Sequence, residues 1–144
     1  MEIDSLYTQV VLAHNSSKRN RRHLEHQSAV VQGVNPSCGD EISLELDISE
    51  DQVIRDVSFV GTGCAISQAS ASIMADLVRG KTVSEAKNLS DLFFQMIRGG
   101  AIDPSLLEAT VFSSMASLPA RVKCAALGWR TLEKALAEGE SKSQ

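Results

Sequence analysis

The chain has 144 residues, and 43% of them are hydrophobic against 22% charged. These are globular proportions that exclude a disordered or low-complexity polymer and leave room for one sizeable core. Fourteen Lys and Arg stand against 18 Asp and Glu, a net charge of −4, so no overall positive field draws the protein to nucleic acid or to an anionic membrane. The acidic start Met1-Glu2-Ile3-Asp4 lacks the basic opening of a signal peptide. The uncharged run from Val57 to Ala75 is broken by serines, glycines, Thr62 and Gln68, which is wrong for a membrane helix. The expected location is the cytoplasm.

Ile3, Leu6, Tyr7, Val10, Val11 and His14 repeat with helical spacing and predict an amphipathic helix, with His14 at the edge of the core or at an interface. Asn15 to Arg22 reads as a polar loop. Its cluster Lys18, Arg19, Arg21, Arg22 and His23 is expected to be solvated or to touch an acidic partner. Ser28 to Val34 is a short strand. Glu41 to Ser49 alternates strictly, with Ile42, Leu44, Leu46 and Ile48 on one face and Glu41, Ser43, Glu45 and Asp47 on the other, the pattern of a strand with one wet face. A polar turn at Ser49-Glu50-Asp51 joins it to a second strand, Val53 to Val60, in a hairpin.

The remainder reads as helical. Ile66, Ala69, Ile73 and Leu77 form a stripe that stops near Gly80. Thr82-Val83-Ser84-Glu85 is a capping box, followed by the apolar face Leu89, Leu92, Phe93, Met96 and Ile97 and a stop at Gly99-Gly100. Asp103-Pro104 signals another helix start. Pro119 opens the last helix, with Trp129 as a core anchor beside Ala125, Leu132 and Leu136, and Gly139 is expected to end it. These elements predict an α+β class in one domain over residues 1–144, a small antiparallel sheet with helices packed mainly on one face.

Cys38, Cys64 and Cys124 are an odd set, which argues against a disulfide framework. Each falls at a loop or a helix start rather than mid-strand. Cys38 lies in Asn35-Pro36-Ser37-Cys38-Gly39-Asp40, read as an exposed loop. Cys64 follows Gly61-Thr62-Gly63 at the start of a helix, where unpaired N–H groups can hold a thiolate. Cys124 follows Arg121-Val122-Lys123 in the first turns of the last helix. If these three points share one end of the sheet, three thiolates and the Asp40 carboxylate supply four ligands, enough for tetrahedral Zn²⁺ or for an iron centre. The spacing alone matches no standard zinc finger, and buried core cysteines or a purely structural zinc site are the competing readings. A cysteine-nucleophile hydrolase needs a nearby histidine, whereas His14, His23 and His26 are remote in sequence from every cysteine motif.

Asn35-Pro36-Ser37-Cys38-Gly39-Asp40, the run Gly61 to Ser72 and Leu118-Pro119-Ala120-Arg121-Val122-Lys123-Cys124-Ala125, taken together with Leu6 to Val11 and Arg19-Asn20, resemble the U-type iron–sulfur assembly proteins, IscU and SufU. Lys123 stands where IscU-like chains place a histidine, and Asp91 to Ser114 matches the additional segment of SufU-like chains. Both features favour the SufU branch. Ala13-His14 and Lys18-Arg19-Asn20 depart from that branch's usual Asp-His and Pro-Arg-Asn. The resemblance implies a SufE/NifU-like fold and a metal site of Cys38, Asp40, Cys64 and Cys124, with the three cysteines as candidate sulfur acceptors and Arg121 as an auxiliary basic neighbour. It further implies transfer of persulfide sulfur from a PLP-dependent, SufS-like cysteine desulfurase to downstream iron–sulfur assembly or apo-proteins, with Zn²⁺ as cofactor. On the IscU pattern the same residues hold iron or a [2Fe–2S] cluster.

Overall fold

The computed structural model of the chain describes residues 2–36 and 39–142, with side chains described within 8–36 and 39–137. The elements run α1 (Glu2–Ser16), β1 (Ala29–Asn35), β2 (Asp40–Ile48), β3 (Ile54–Thr62), α2 (Ala65–Val78), α3 (Val83–Ile97), a 3-10 segment (Pro104–Ser117) and α4 (Pro119–Lys142). The strands form an antiparallel sheet in the order β1-β2-β3, so the expected α+β arrangement is the one observed. Among the described residues no helix is long and apolar enough to cross a membrane.

Register explains how the sheet builds its core. Val31 pairs with Leu44, Gly33 with Ile42 and Asn35 with Asp40, while Leu44 pairs with Phe59 and Leu46 with Val57. Directly opposed residues of antiparallel strands project to the same face. That face therefore carries the buried Val31, Ile42, Leu44, Leu46, Val57 and Phe59. The same period of two puts Asn35 and Asp40 on it at the sheet's end. Helices α2 and α4 cover this face, and α4 comes so close to β1 that a Cβ built on Gly33 would lie 2.0 Å from Thr131 Oγ1.

One expectation about the opposite face is corrected, and the basic loop carries contacts that the sequence did not indicate. Glu45, expected on the wet face of β2, is 1% exposed. Its Oε1 accepts from the Leu24 N–H at 2.9 Å and from Gln27 Nε2, and its Oε2 lies 2.5 Å from His23 Nδ1. The segment after α1 binds the β3 edge, where the Phe59 N–H donates to the Asn20 carbonyl at 2.8 Å, and then folds over the outer face. A single strand's alternation carries no information about such a cover. The basic cluster is largely solvated, as expected, with Lys18, Arg19 and His23 exposed, but its arginines are also tied to the chain's own side chains. Arg19 pairs with Asp76 at 2.5 Å, Arg22 with Asp56 at 2.9 Å, and Arg21 donates to Asn15 Oδ1 at 2.8 Å. Asn20 is buried and donates to the Ser72 carbonyl and to Asp76 Oδ1, both at 3.0 Å.

The helical half follows its sequence signals with two exceptions. The Thr82 capping box is present, with both reciprocal hydrogen bonds. Phe93 of α3 stacks on Trp129 of α4 at 4.5 Å between ring centroids and meets Phe112 edge-on, which ties α3, α4 and the 3-10 segment into one aromatic cluster. Asp103 does cap its segment through the Ser105 N–H, but a 3-10 helix follows instead of an α-helix. Leu107 takes φ 50, ψ −123, a conformation that interrupts the helical ladder one turn after the cap. The last helix continues through Gly139 to Lys142: one glycine weakens a helix by about 1 kcal/mol and does not by itself end it.

Candidate metal centre

The antiparallel β1–β2 connection returns Asp40 directly opposite Asn35, and Gly39 between strand and turn has φ 70, a backbone state that a residue with a side chain adopts only at a cost. β3 then leads through Thr62-Gly63 to Cys64, the N-cap of α2. In α4, Cys124 lies in the second turn and is 5% exposed. The three chain segments meet at one end of the sheet. One ligand atom from each of Asp40, Cys64 and Cys124 lies within 4.8 Å of the others.

Asp40 is fully buried and Asn35 nearly so, which corrects the reading of these two residues as exposed, whereas Pro36 and Gly39 between them are exposed as expected. Its Oδ1 accepts the Cys64 N–H at 2.8 Å, while Oδ2 is buried with no hydrogen-bond partner among the described residues. An isolated buried carboxylate is costly, and burial is tolerated where the charge is paired or coordinates a metal. A carboxylate oxygen of Asp40 thus stands with the two sulfurs as a third ligand atom in a soft, anionic set. This donor set fits Zn²⁺ or an iron centre: thiolates suit both, and a carboxylate completes a tetrahedron with a further thiolate. Gly63 allows the approach, since a Cβ on it would stand 2.6 Å from Asp40 Oδ1 and 2.7 Å from Ser67 Oγ.

The sulfurs are supported by amide donors. Cys64 Sγ accepts the Ser67 N–H at 3.4 Å as the side-chain cap of α2. Asn35 Nδ2 lies 3.9 Å from Cys124 Sγ, a contact that fixes the strand end against α4. Asn35 had no assigned role in the sequence. Its signal was register, because a residue paired with Asp40 must share Asp40's face.

The other expected site residues divide. Cys38, two residues before Asp40, lies outside the described residues. Arg121 is on the first turn of α4, exposed, with its backbone N–H bonded to the Leu118 carbonyl, and the described contacts do not bring its side chain to the site. His14, expected at the core edge, is buried and bonds Ser72 Oγ at 2.8 Å and Glu108 Oε1 at 3.1 Å. His14, Asp76 and Glu108 also converge within 4.8 Å. However, Asp76 already accepts from Arg19, Asn20 and Arg79, so two guanidinium ions neutralise the charge that a cation would need.

Comparison with known proteins agrees with this geometry. Residues 6–144 match the family model described as the NifU-like N-terminal domain. The zinc-dependent sulfurtransferase SufU of Bacillus subtilis is 39% identical over 140 residues, covering 96% of this chain and 94% of that protein. The iron–sulfur cluster assembly scaffold protein IscU of Thermotoga maritima is 41% identical over 137 residues, covering 94% and 96%. A crystal structure from Fervidobacterium islandicum, described as a candidate iron–sulfur cluster assembly scaffold of the SUF system, superposes with a TM-score of 0.85 at 37% identity, over 92% of this chain and 97% of that one. The N-terminal NifU-like protein of Brucella abortus shares the fold at a TM-score of 0.87. With its buried carboxylate–thiol centre and a match running almost end to end, the chain belongs to the NifU-like N-terminal domain family.

Proposed function

We propose that the chain is a single-domain, cytoplasmic iron–sulfur assembly protein. In this reading it accepts persulfide sulfur from a PLP-dependent, SufS-like cysteine desulfurase at a centre of Cys38, Asp40, Cys64 and Cys124, and passes it to downstream assembly or apo-proteins. The observation that carries the reading is the buried Asp40, grouped with Cys64 and Cys124 and left with one unpartnered carboxylate oxygen. Likeness to a relative named as a zinc-dependent sulfurtransferase supports Zn²⁺ as the resident ion.

When bound, zinc keeps coordinating thiols deprotonated and caps them against oxidation. The chain's own residues do the rest. A cysteine thiolate attacks the terminal sulfur of the desulfurase persulfide. One S–S bond forms, the donor's S–S bond breaks, and the donor leaves as a thiolate, with no net oxidation. The Ser67 N–H orients Cys64 Sγ and Asn35 Nδ2 faces Cys124 Sγ. Asp40 is the hard ligand in a soft set, so it is the one a partner's ligand displaces. Arg121, exposed on α4, is assigned to the partner's acidic groups.

The second reading, a scaffold on which a [2Fe–2S] cluster is built, draws on likeness to the relative named as an IscU scaffold. One experiment separates the two. The protein is mixed with a SufS-like desulfurase while turnover and persulfide on each cysteine are measured, and a parallel sample is reconstituted with iron and sulfide. Zinc in aerobically purified protein, faster desulfurase turnover and persulfide lost in Cys64→Ala support transfer. A stable visible chromophore without desulfurase activation supports the scaffold.

A further inference from the structure

Gln68 lies one helical turn after Cys64. It is 7% exposed, and its Nε2 is buried without a hydrogen-bond partner. A donor in that state keeps its desolvation cost uncompensated, and native proteins hold few of them. The surrounding residues of α2 are small or apolar and buried, Ala69, Ala71, Ile73 and Met74 among them, so the fold itself has no need of a carboxamide here.

The helix aims this donor. Side chains on an α-helix lean back toward its N-terminus, which brings the Gln68 carboxamide over the turn that begins at Cys64. Cys64, Gln68 and Ala71 follow the i, i+4, i+7 spacing of one helix side. Ala71 lies on the seam with α4: a Cβ built on Gly128 would stand 3.1 Å from Ala71 Cα. Ser70 Oγ donates to the Ala125 carbonyl at 2.6 Å, next in sequence to Cys124. Along α2, Gln68 thus falls between Cys64 and the residues Ser70 and Ala71 that meet α4, with its backbone N–H bonded to the Cys64 carbonyl at 3.2 Å.

The nearby donors are already engaged. The Cys64 N–H serves Asp40, the Ser67 N–H serves Cys64 Sγ, and Asn35 faces Cys124. A persulfide extends a cysteine by one S–S bond of about 2.05 Å and carries its charge on the added atom, beyond those donors. We propose that Gln68 is a positioning residue whose carboxamide N–H donates to the terminal sulfur of a persulfide carried on Cys64 or Cys124. This rests on the sulfur-transfer reading and adds to it a specific holder for the cargo.

The test needs no partner protein. Purified chain is treated with inorganic polysulfide. A cysteine thiolate takes one sulfur atom to become a persulfide anion, and the polysulfide dianion leaves one sulfur shorter. After desalting, the persulfide is counted by alkylation and mass spectrometry, and its release to excess dithiothreitol is timed. Gln68→Met keeps the volume and removes the donor; Gln68→Glu places a negative charge beside the sulfur. We expect release about tenfold faster in Gln68→Met and faster again in Gln68→Glu. The sulfur-free Gln68→Met protein should melt at or above the wild-type temperature, because an uncompensated donor has been removed. Wild-type release rates in both variants overturn the assignment, as does faster release accompanied by a matching loss of Tm, which marks a structural role. Failure of the wild-type protein to take up any persulfide defeats the sulfur-transfer reading instead.

Discussion

The Cys64 backbone N–H donates to Asp40 Oδ1 at 2.8 Å, so the residue that opens α2 holds in place the carboxylate that opens β2. One oxygen of Asp40 is committed to the fold and the other is left over. This split gives Asp40→Asn opposite effects in two states. Asn keeps an oxygen for the Cys64 N–H and removes a buried charge, so the chelated variant should be as stable as wild type or more so. The metal-loaded variant loses an anionic ligand, and affinity should fall at least about tenfold, on the order of 1.4 kcal/mol. Thermal melts with and without chelator, together with a competition titration using a chromogenic chelator, check both halves. A variant destabilised equally in both states would reduce Asp40 to a structural hydrogen-bond acceptor.

Gly63→Ala tests how closely the site is built. The added methyl would lie 2.6 Å from Asp40 Oδ1 and 2.7 Å from Ser67 Oγ, and neither is the free end of a long side chain. Overpacking of this kind costs about 1–3 kcal/mol. The variant should lose several degrees of Tm and bind metal more weakly, because Asp40 and the start of α2 must separate. Far-UV circular dichroism should stay close to wild type. Unchanged metal affinity would show that the site relaxes freely.

Much of this centre was legible in the sequence, and the gaps have physical causes. Cys64 and Cys124 were placed at helix starts by local punctuation, glycine before one and proline before the other, and they stand there. Asp40 was grouped with them yet read as exposed, because Asn35-Pro36 and Gly39 suggest a loop. Extending the Ile42, Leu44, Leu46 alternation back by two residues puts Asp40 indoors, as the register does. Glu45 was misread, and the internal partners of the Lys18–His23 cluster were missed, for a different reason. Their partners, Leu24 for one and Asp56 and Asp76 for the other, are supplied by chain crossings that no local period encodes. Asn35 and Gln68 escaped notice because a lone amide has no pattern, and its role emerges only from what surrounds it.

The α1-to-β1 segment should make the fold acid-labile. Burial alone would raise the Asp76 carboxyl, but hydrogen bonds from Asn20 and Arg19 outweigh it and hold Asp76 below the ordinary value. Asp56 behaves likewise, its burial overcome by Arg22, the Val57 N–H and Arg79. A carboxylate with a depressed folded pKa contributes stability that is fully present above its unfolded pKa of about 4 and is lost as pH falls through the lower, folded value. In chelated protein, where metal ligands do not confound the curve, Tm should hold from pH 7 to about 5 and drop below about 4. Asp76→Asn should show a lower plateau and a shallower acid drop. An unchanged acid slope in Asp76→Asn would place the acid sensitivity elsewhere.

Metal removal should weaken the protein without unfolding it. The core is complete away from the site: Phe59, Phe93, Phe112 and Trp129 are fully buried, and the Phe93–Trp129 stack lies within the helical cluster, not beside Asp40. A metal that binds only the folded state adds RT ln(1 + [M]/Kd), about 4 kcal/mol at a thousandfold excess over Kd. That is a large share of a typical domain's stability, but it is an increment on a fold that already has its own core. Chelation should therefore lower Tm by several degrees and leave helical circular dichroism and the near-ultraviolet signal of Trp129 largely intact. Loss of the Trp129 signal on chelation at 25 °C would mean that the centre organises the core. The sheet register and the α2–α4 packing place Asp40, Cys64 and Cys124 through contacts of the chain itself, which is why an intact Trp129 signal is the expected outcome.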